Sequence, residues 1–297
     1  MMCRSITLVC LLSLVMVAAG CQQGAGGASD ETVVQIGSTK ADLFGMPAAF
    51  RALHPQLEER LGRPVRFRAQ PNGPALAQQL EQGNISYAFL SAAEYASIED
   101  PSKLTLLASG VNALGKTSRK AHLVVKTGSH VKTVADCRGK RFAFGTHGGL
   151  LTDIAAQRAL EEAGVPVKDL LQELLMPPLA FEGRLYLKEN AAKTIANDLT
   201  VNAGIIDEIV YDQMPETGGN LITGPSKDQF EIVGHTVAVP EIVFVAGPAA
   251  DVDLSSKLKD YLLNGVKNDE RICRQLGVRG FATPDKSAYD AARKLLH

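Results

Sequence analysis

The chain is poor in aromatic residues and carries no excess of charge. Trp is absent, and aromatic residues make up only 5% of the 297 residues. Receptors for sugars often stack aromatic rings on their ligand, so this scarcity disfavours a carbohydrate ligand. Lys and Arg number 31 against 32 Asp and Glu. A general nucleic-acid binder carries a strongly basic patch or stripe, and the balanced charge argues against that class.

Signatures of catalysis and metal binding are also missing. The sequence contains no G-x-S-x-G elbow, no H-E-x-x-H and no P-loop. Its six His residues are not paired with a nucleophile, and no group of His, Cys and Asp has the spacing of metal ligands. The glycines of residues 145–149 lack the spacing of a dinucleotide-binding fingerprint. We therefore expect a protein that is not an enzyme and that has no resident metal or cofactor.

The N-terminal residues have the layout of a bacterial signal peptide. Arg4 supplies a positive start, residues 6–17 form an apolar run, and small residues lead into Cys21. The run is shorter than the roughly 20 residues that a membrane-spanning helix needs. The pattern predicts a lipoprotein signal peptide over residues 1–20 and lipidation of Cys21, so we expect an extracytoplasmic, lipid-anchored protein. Ala18 stands where the strict pattern prefers Leu, and an ordinary secretory signal with an incidental cysteine is the alternative.

The residues behind Cys21 predict a tether. Gly, Ala, Ser and Gln dominate residues 22–31, a composition typical of a flexible linker. The mature chain then has two further cysteines, Cys137 and Cys273. An exported protein permits a disulfide, but the two residues fall in segments that we assign to different lobes, so we expect two unpaired thiols.

Segments with the pattern of strands then alternate with segments with the pattern of helices, as in an α/β protein with a largely parallel sheet. Predicted strands lie at residues 33–38, 65–69, 86–90, 104–109, 122–126, 141–144, 201–206 and 242–246. Predicted helices lie at residues 46–61, 74–81, 150–163 and 188–198, and most of residues 254–296 are expected to be helical. Gly62 suits the end of the first helix.

Two extended stretches, residues 111–120 and 234–240, read as crossovers between two lobes. The chain would leave one lobe, build a second and return, with a double hinge that closes a cleft around a ligand. The predicted units are a signal peptide (1–20), a tether (21–32), the first part of lobe 1 (33–118), lobe 2 (119–237), and the return to lobe 1 with a helical C-terminus (238–297). We expect a monomer.

Several motifs in this order resemble one family, the phosphonate/phosphite-type solute-binding proteins of ABC importers. They are LGRPV at 61–65, LEQGNISYAFL at 80–90, VADCRGKRFAFG at 134–145, VNAGIID at 201–207, and LGVRGF at 276–281 with Tyr289. The resemblance covers nearly all of the mature chain. It implies the type II periplasmic-binding-protein fold, with two α/β lobes around a cleft.

In sheets of parallel strands, ligands lie beyond the carboxyl ends of the strands. The residues that follow three predicted strands are Thr39 and Lys40, then Ser91 and Tyr95, then Thr146, His147, Gly148 and Gly149. The helix N-termini there favour an anion. Each residue also has a plainer interpretation: an N-cap for Ser91 and Thr146, a tight turn for the glycines, a surface lysine for Lys40 and a core position for Tyr95.

The resemblance adds Asp207, where the family sometimes places an acid that pairs with a ligand amine; an N-cap is the alternative. His147 departs from the family pattern, which has Ser or Thr with Gly at this point. The implied function is a receptor that presents a phosphonate, phosphite or phosphate to a membrane permease. A sulfonate or a pyrimidine vitamin precursor is an alternative ligand, and a sensor domain that reports to a signalling partner is an alternative function.

Overall fold

The computed structural model describes residues 33–39, 46–176, 186–220 and 224–296. The predicted signal peptide, the tether, Cys21 and Lys40 lie outside the described residues. Within them, two mixed sheets of six and five strands are joined by a two-stranded ribbon. No helix in these ranges combines the length and the apolar character that a bilayer span requires.

The strands are β1 Val34–Thr39, β2 Val65–Gln70, β3 Tyr87–Leu90, β4 Thr105–Val111, β5 Ser118–Arg119, β6 Ala121–Lys126, β7 Arg141–Thr146, β8 Gln172–Met176, β9 Ala203–Asp207, β10 Phe230–His235, β11 Val239–Pro240, β12 Val243–Ala246 and β13 Gly280–Ala282. The α-helices are α1 Met46–Leu61, α2 Gly73–Glu81, α3 Ala92–Ala96, α4 Ala155–Glu162, α5 Tyr186–Asn197, α6 Glu208–Asp212, α7 Val252–Asp260, α8 Glu270–Leu276 and α9 Lys286–Arg293. Helical turns of the π type span Leu150–Ile154 and Tyr261–Gly265. Short 3₁₀ turns span Pro101–Lys103, Ala135–Cys137, Val167–Asp169, Lys227–Gln229 and Val266–Asn268.

The first sheet has the order β13-β4-β12-β3-β1-β2. Helix α1 covers it with one apolar face, since Leu53, Leu57 and Leu61 recur every four residues and are all buried. Fully burying one such side chain contributes about 1.5–3 kcal/mol. Gly62 ends α1 in the left-handed conformation, with φ 64°, which confirms the predicted helix end.

The second sheet has the order β10-β6-β9-β7-β8. Phe142 and Phe144 of β7 are fully buried, and they pack in one cluster with Leu160 of α4 and with Cys137. Cys273 packs instead in the core of the first sheet. Both thiols are free and buried, which confirms the expectation that they are unpaired.

The prediction of largely parallel sheets is wrong, because both sheets are mixed. Parallel pairs join β1 to β2 and β3, and β7 to β8 and β9. The strands that follow the crossovers, β6 and β12, run antiparallel to their neighbours. The start of β6 pairs with the end of β9, and the start of β12 with the end of β3. The chain thus enters each sheet from the end at which the parallel strands finish. Strands β6 and β12 therefore run in the direction opposite to those strands.

Both crossovers contain a short strand. Arg119 of β5 pairs with Val239 of β11, and Ser118 pairs with Pro240, in antiparallel register. The predicted lobe boundaries at residues 118/119 and 237/238 fall within or beside this ribbon and stay predictions. The segment after residue 254 is mostly helical, as predicted, and β13 within it adds an edge strand to the first sheet beside β4.

Candidate functional site

Two of the candidate residues, Thr39 at the end of β1 and Ser91 directly after β3, lie at the same end of the first sheet. We call the end of a sheet at which its parallel strands finish the edge of that sheet. The register of β1 and β3 pairs Ile36 with Tyr87 and Gly37 with Ala88. The ends of both strands, Thr39 and Leu90, therefore lie side by side, with Ser91 directly after. The structure brings Thr39 and Ser91 to the same edge, as expected for parallel strands.

The second sheet has an equivalent edge. Strands β7 and β9 pair Phe142 with Ala203 and Ala143 with Gly204, so their last residues, Thr146 and Asp207, end at the same level. The start of α3 also belongs to the core of the second sheet. Ala92, the first residue of α3, belongs to the same buried cluster as Leu150 and Leu151. The segment after Ser91 and the segment after Gly149 therefore contribute to one apolar cluster.

Ser91 is the N-cap of α3, and its interpretation as a cap is confirmed. Its Oγ accepts a hydrogen bond from the Glu94 amide at 3.3 Å, while Glu94 Oε2 accepts from the Ser91 amide at 2.8 Å. Ser91 Oγ also donates to Glu94 Oε2 at 2.9 Å. The capping box therefore places a carboxylate at the start of the helix, and sequence reasoning missed this role of Glu94.

Tyr95 is a core residue. Its side chain is fully buried, its ring meets the Tyr289 ring edge-on at 5.3 Å, and its hydroxyl has no hydrogen-bond partner among the described residues. Burial raises the pKa of the Tyr95 hydroxyl. Thr39 is also fully buried. The neighbouring Ser38 Oγ is buried and lacks a partner in the described part of the chain.

The turn after β7 is built from Thr146, His147, Gly148 and Gly149. The Gly149 amide donates to the Thr146 carbonyl at 2.9 Å, and Gly148 has a φ of 74°, which a glycine tolerates without strain. His147 is exposed, with 79% of its side-chain surface open to solvent. This tight turn was the plainer interpretation of the two glycines, and it is confirmed.

The helix after this turn does not begin as the predicted α-helix. A π turn spans Leu150–Ile154 and α4 starts only at Ala155. The amides of Asp153 and Ile154 both donate to the Gly149 carbonyl, at 3.0 and 3.1 Å, which widens the first turn. Thr152 packs so closely on β7 that a Cβ at Gly145 would lie 1.9 Å from its Oγ1. A glycine at the end of the strand is what permits this approach.

Asp153 is the residue of this turn that sequence reasoning missed. It is almost completely buried, and its Oδ2 accepts from the Gly148 amide at 2.7 Å while its Oδ1 accepts from Gln157 Nε2 at 2.6 Å. His147 Nδ1 lies 3.5 Å from the same Oδ2. An acidic residue in the first turn of a helix is the usual signal for such an interaction, and it was available in the sequence.

Asp207 is also engaged on both oxygens. Its Oδ1 accepts from the Ile209 amide at 2.9 Å, so Asp207 is the N-cap of α6. Its Oδ2 lies 3.2 Å from Nε of Arg119. Only 2% of its side-chain surface is exposed. The N-cap interpretation is confirmed, and the ion pair with Arg119 was not predicted. Among the described residues no group of three His, Cys, Asp or Glu side chains is arranged to hold a metal ion.

A family model identifies the family of the chain, and solved structures of low identity show its fold. The family model described as "ABC transporter, phosphonate, periplasmic substrate-binding protein" matches residues 45–289. Among solved structures, XAC2383 from Xanthomonas citri bound to ATP has a TM-score of 0.63 at 17% identity, over 89% of this chain and 95% of that one. PhnD1 from Prochlorococcus marinus in complex with methylphosphonate has a TM-score of 0.59 at 14% identity, over 89% and 97%.

A third similar structure is the binding protein component of an ABC phosphonate transporter from Pseudomonas aeruginosa. Its TM-score is 0.58 at 15% identity, over 89% of this chain and 85% of that one. Identities this low establish the fold. The comparisons confirm the predicted α/β architecture, the two-lobed periplasmic-binding-protein type II fold, and the resemblance read from the sequence motifs.

Proposed function

The chain belongs to the family of phosphonate periplasmic substrate-binding proteins of ABC transporters, and from this we propose that it binds a small phosphorus oxyanion between its two lobes. Proteins of this family bind small ligands and work with a membrane permease. The observation that carries the proposal is that the candidate residues lie at the ends of neighbouring parallel strands in each sheet, Thr39 and Ser91 in the first sheet and Thr146 and Asp207 in the second. Hydroxyl groups and backbone amides of these segments suit an oxyanion.

Two carboxylates, one beside each of these segments, favour a phosphorus oxyanion over a sulfonate. Glu94 and Asp153 accept hydrogen bonds from the Ser91 and Gly148 amides, and as carboxylates they can only accept. A hydrogenphosphate or a phosphonate monoanion carries an O–H group that can donate to such an oxygen. A sulfonate carries no proton at neutral pH and would meet the same oxygens with like charge, so we place it behind the phosphorus ligands.

The predicted lipid anchor fits the same role. A receptor held at the membrane by a lipid on Cys21, through the tether of residues 22–31, would deliver its ligand at a high local concentration to the permease. Lipid anchoring, the extracytoplasmic address of this chain and its monomeric state are parts of the proposal.

The ligand is identified by thermal unfolding in the presence of candidate ligands. A ligand that binds only the folded state stabilises it by about 2.7 kcal/mol at a hundred times its Kd. Phosphate, phosphite and methylphosphonate are compared with methanesulfonate, thiamine and chloride at matched ionic strength. We expect at least one phosphorus oxyanion to raise Tm by several degrees while methanesulfonate and chloride do not. A rise with thiamine alone, with all three phosphorus oxyanions inert, overturns the proposal.

Measuring ligand uptake by cells distinguishes a role in transport from a role in sensing. Deleting the gene should abolish uptake of the labelled ligand by intact cells, and restoring the gene should recover it. Unchanged uptake in the deletion strain would contradict a role in import.

A further inference from the structure

One guanidinium group joins the two lobes at the paired crossovers. Arg119 lies on β5, and its Nε is 3.2 Å from Oδ2 of Asp207 while its Nη1 is 3.2 Å from Oε2 of Glu241. Asp207 is 2% exposed and Glu241 11% exposed on their side chains. Water therefore screens these charges weakly, and the two bonds are directional.

The two carboxylates belong to different sheets. Asp207 is the last residue of β9 in the second sheet, whereas Glu241 lies between β11 and β12, on the return into the first sheet. Arg119 itself lies on the ribbon between the sheets, opposite Val239. Any rotation of one sheet against the other changes the distance between Asp207 and Glu241, and both of these bonds respond to it.

Glu241 is fixed firmly to the first sheet. Its Oε1 accepts from Asn112 Nδ2 at 2.9 Å, just after β4, and its amide donates to the Thr117 carbonyl at 2.9 Å. Its carbonyl accepts from Tyr289 Oη at 2.9 Å, and the same hydroxyl lies 2.7 Å from Ser109 Oγ of β4. Glu241 is therefore a rigid point of attachment for Arg119.

A weaker contact runs beside this one. Lys116 Nζ lies 3.6 Å from Oε2 of Glu208, the residue after Asp207, and more than half of the Lys116 side chain is exposed. An exposed ion pair of this kind contributes little. Arg119 is the residue whose fork geometry holds two poorly solvated carboxylates at once, which a lysine does not reproduce.

We propose that Arg119 is a positioning residue of the hinge, whose bonds to Asp207 and Glu241 hold the two lobes in one relative orientation. Without it, the ligand-free protein samples several orientations, and only some of them present both edges of the cleft to a ligand. Apparent affinity falls in proportion to the fraction of molecules in the competent orientation. This effect on affinity rests on the proposed function, whereas the effect on lobe orientation does not.

The test measures lobe orientation directly, without ligand. Glu59 and His130 are both exposed and lie one on each lobe. Each is replaced by azidophenylalanine in the full chain, and the two positions are labelled with a pair of dyes for single-molecule energy transfer. Wild type should give one narrow distribution of transfer efficiency. Arg119→Gln and Glu241→Gln should broaden or split it, and Arg119→Lys should give an intermediate result.

The matched control is Arg138→Gln. Arg138 also pairs with an aspartate, Asp169, but both belong to the second lobe. This variant should keep the wild-type distribution. If the Arg119→Gln and Glu241→Gln distributions are as narrow as that of the control, Arg119 does not position the lobes, even if Tm falls. Should Arg119→Gln fail to fold, Glu241→Gln and Arg119→Lys decide the question.

A second arm measures methylphosphonate binding by calorimetry. We expect Arg119→Gln to raise Kd at least threefold over the Arg138→Gln control. An unchanged Kd beside a broadened distribution would overturn the link between orientation and affinity. If the wild-type protein binds none of methylphosphonate, phosphite and phosphate, the proposed ligand fails, and the energy-transfer result still decides the role of Arg119.

Discussion

Nδ1 of His147 lies 3.5 Å from Oδ2 of Asp153, so the exposed imidazole of the turn after β7 lies beside a buried carboxylate. The same oxygen accepts the Gly148 amide at 2.7 Å. The amide that a helix start would offer to an anion is therefore already occupied by a side chain of the protein. Asp153 competes with an anionic ligand unless the ligand brings a proton to share.

Replacing that carboxylate should raise the affinity for an anion that carries no proton and should lower stability. Asp153→Asn keeps an acceptor for the Gly148 amide and removes a negative charge from the edge of the cleft. Two charges several ångströms apart near a protein surface interact by about 1–3 kcal/mol, so methanesulfonate, which brings no proton to share, should gain roughly tenfold in affinity relative to methylphosphonate. The lost charge-assisted hydrogen bonds should cost about 1–2 kcal/mol of unfolding free energy.

Calorimetry and urea unfolding check both effects of Asp153→Asn. A control, Asp269→Asn, alters a helix cap in the first lobe, at Ile272, and should leave affinity unchanged. An unchanged ratio of the methylphosphonate and methanesulfonate affinities in Asp153→Asn would mean that this carboxylate does not discriminate between the two ligands.

Removing the hydroxyl groups at the two edges should weaken binding. Thr146→Ala deletes one donor to a charged ligand, worth about 1.5–3 kcal/mol, so Kd should rise roughly tenfold or more. Ser91→Ala should act in the same direction, but less, because the Ser91 hydroxyl has to turn from Glu94 Oε2 to reach a ligand. Ser91→Ala should also cost about 1 kcal/mol of stability, because the cap of α3 is lost.

The control for Ser91→Ala is Asp251→Ala. It removes the cap on the Leu254 amide of α7, at the opposite edge of the first sheet, and should lower stability without changing Kd. Wild-type affinity in both Ser91→Ala and Thr146→Ala would show that the ligand site lies elsewhere.

Gly145→Ala, which adds one methyl group, should displace the π turn that follows β7. Its Cβ would lie 1.9 Å from Oγ1 and 2.5 Å from Cβ of Thr152, so the π turn has to move away from β7. Overpacking of this kind costs about 1–3 kcal/mol, and the displaced turn should also weaken ligand binding. Gly247→Ala, whose nearest contact is 3.2 Å, should cost less in urea unfolding. Equal losses in the two variants would contradict the close contact.

Stability should fall at alkaline pH. Burial raises the pKa of the Cys137 thiol from 9.0 to about 11 and that of the Tyr261 hydroxyl from 10.0 to about 12. The unfolded chain therefore loses these protons first, and the stabilisation is complete below pH 9 and lost as pH rises through 11 and 12.

Urea unfolding between pH 8 and pH 11 measures this decline. Cys137 alone should contribute about 2 kcal/mol, and Cys137→Ala should show a shallower decline than wild type. An identical pH dependence in the two proteins would refute the assignment to this thiol.

The predicted lipid anchor is tested at Cys21. Cells fed labelled palmitate should incorporate the label into the wild-type protein and retain the protein in the membrane fraction. Cys21→Ser should abolish both, while Cys10→Ser, within the predicted signal peptide, should abolish neither. A wild-type protein that is cleaved, unlabelled and free of the membrane would support the ordinary secretory signal.

Much of the fold follows from local patterns. The bounds predicted for α1 and the end at Gly62 agree with the structure, because leucines every four residues and a terminal glycine are signals within one segment. Strands β8, β10 and β13 were missed. They are edge strands, and polar or exposed positions such as Gln172 and Glu173 mask their pattern.

The candidate site was only partly predictable. Which residues follow which strands is local information, and it brought Ser91 and Thr146 forward correctly as residues of the two edges. The partners of these segments are not all local. Arg119 meets Asp207 and Glu241 only because two crossovers place them together, and a buried position for Tyr95 depends on Tyr289 from the last helix.

The place of β12 in the first sheet has a consequence for biosynthesis. It lies in the middle of the sheet, between β4 and β3, yet it is supplied by residues 243–246, after the whole second sheet. A nascent chain that has emerged as far as residue 240 contains β3, β1 and β2 on one side of β12's place and β4 on the other, but neither β12 nor β13. Such late, non-local pairing slows folding. The first sheet consequently cannot be completed until nearly the whole chain has been synthesised.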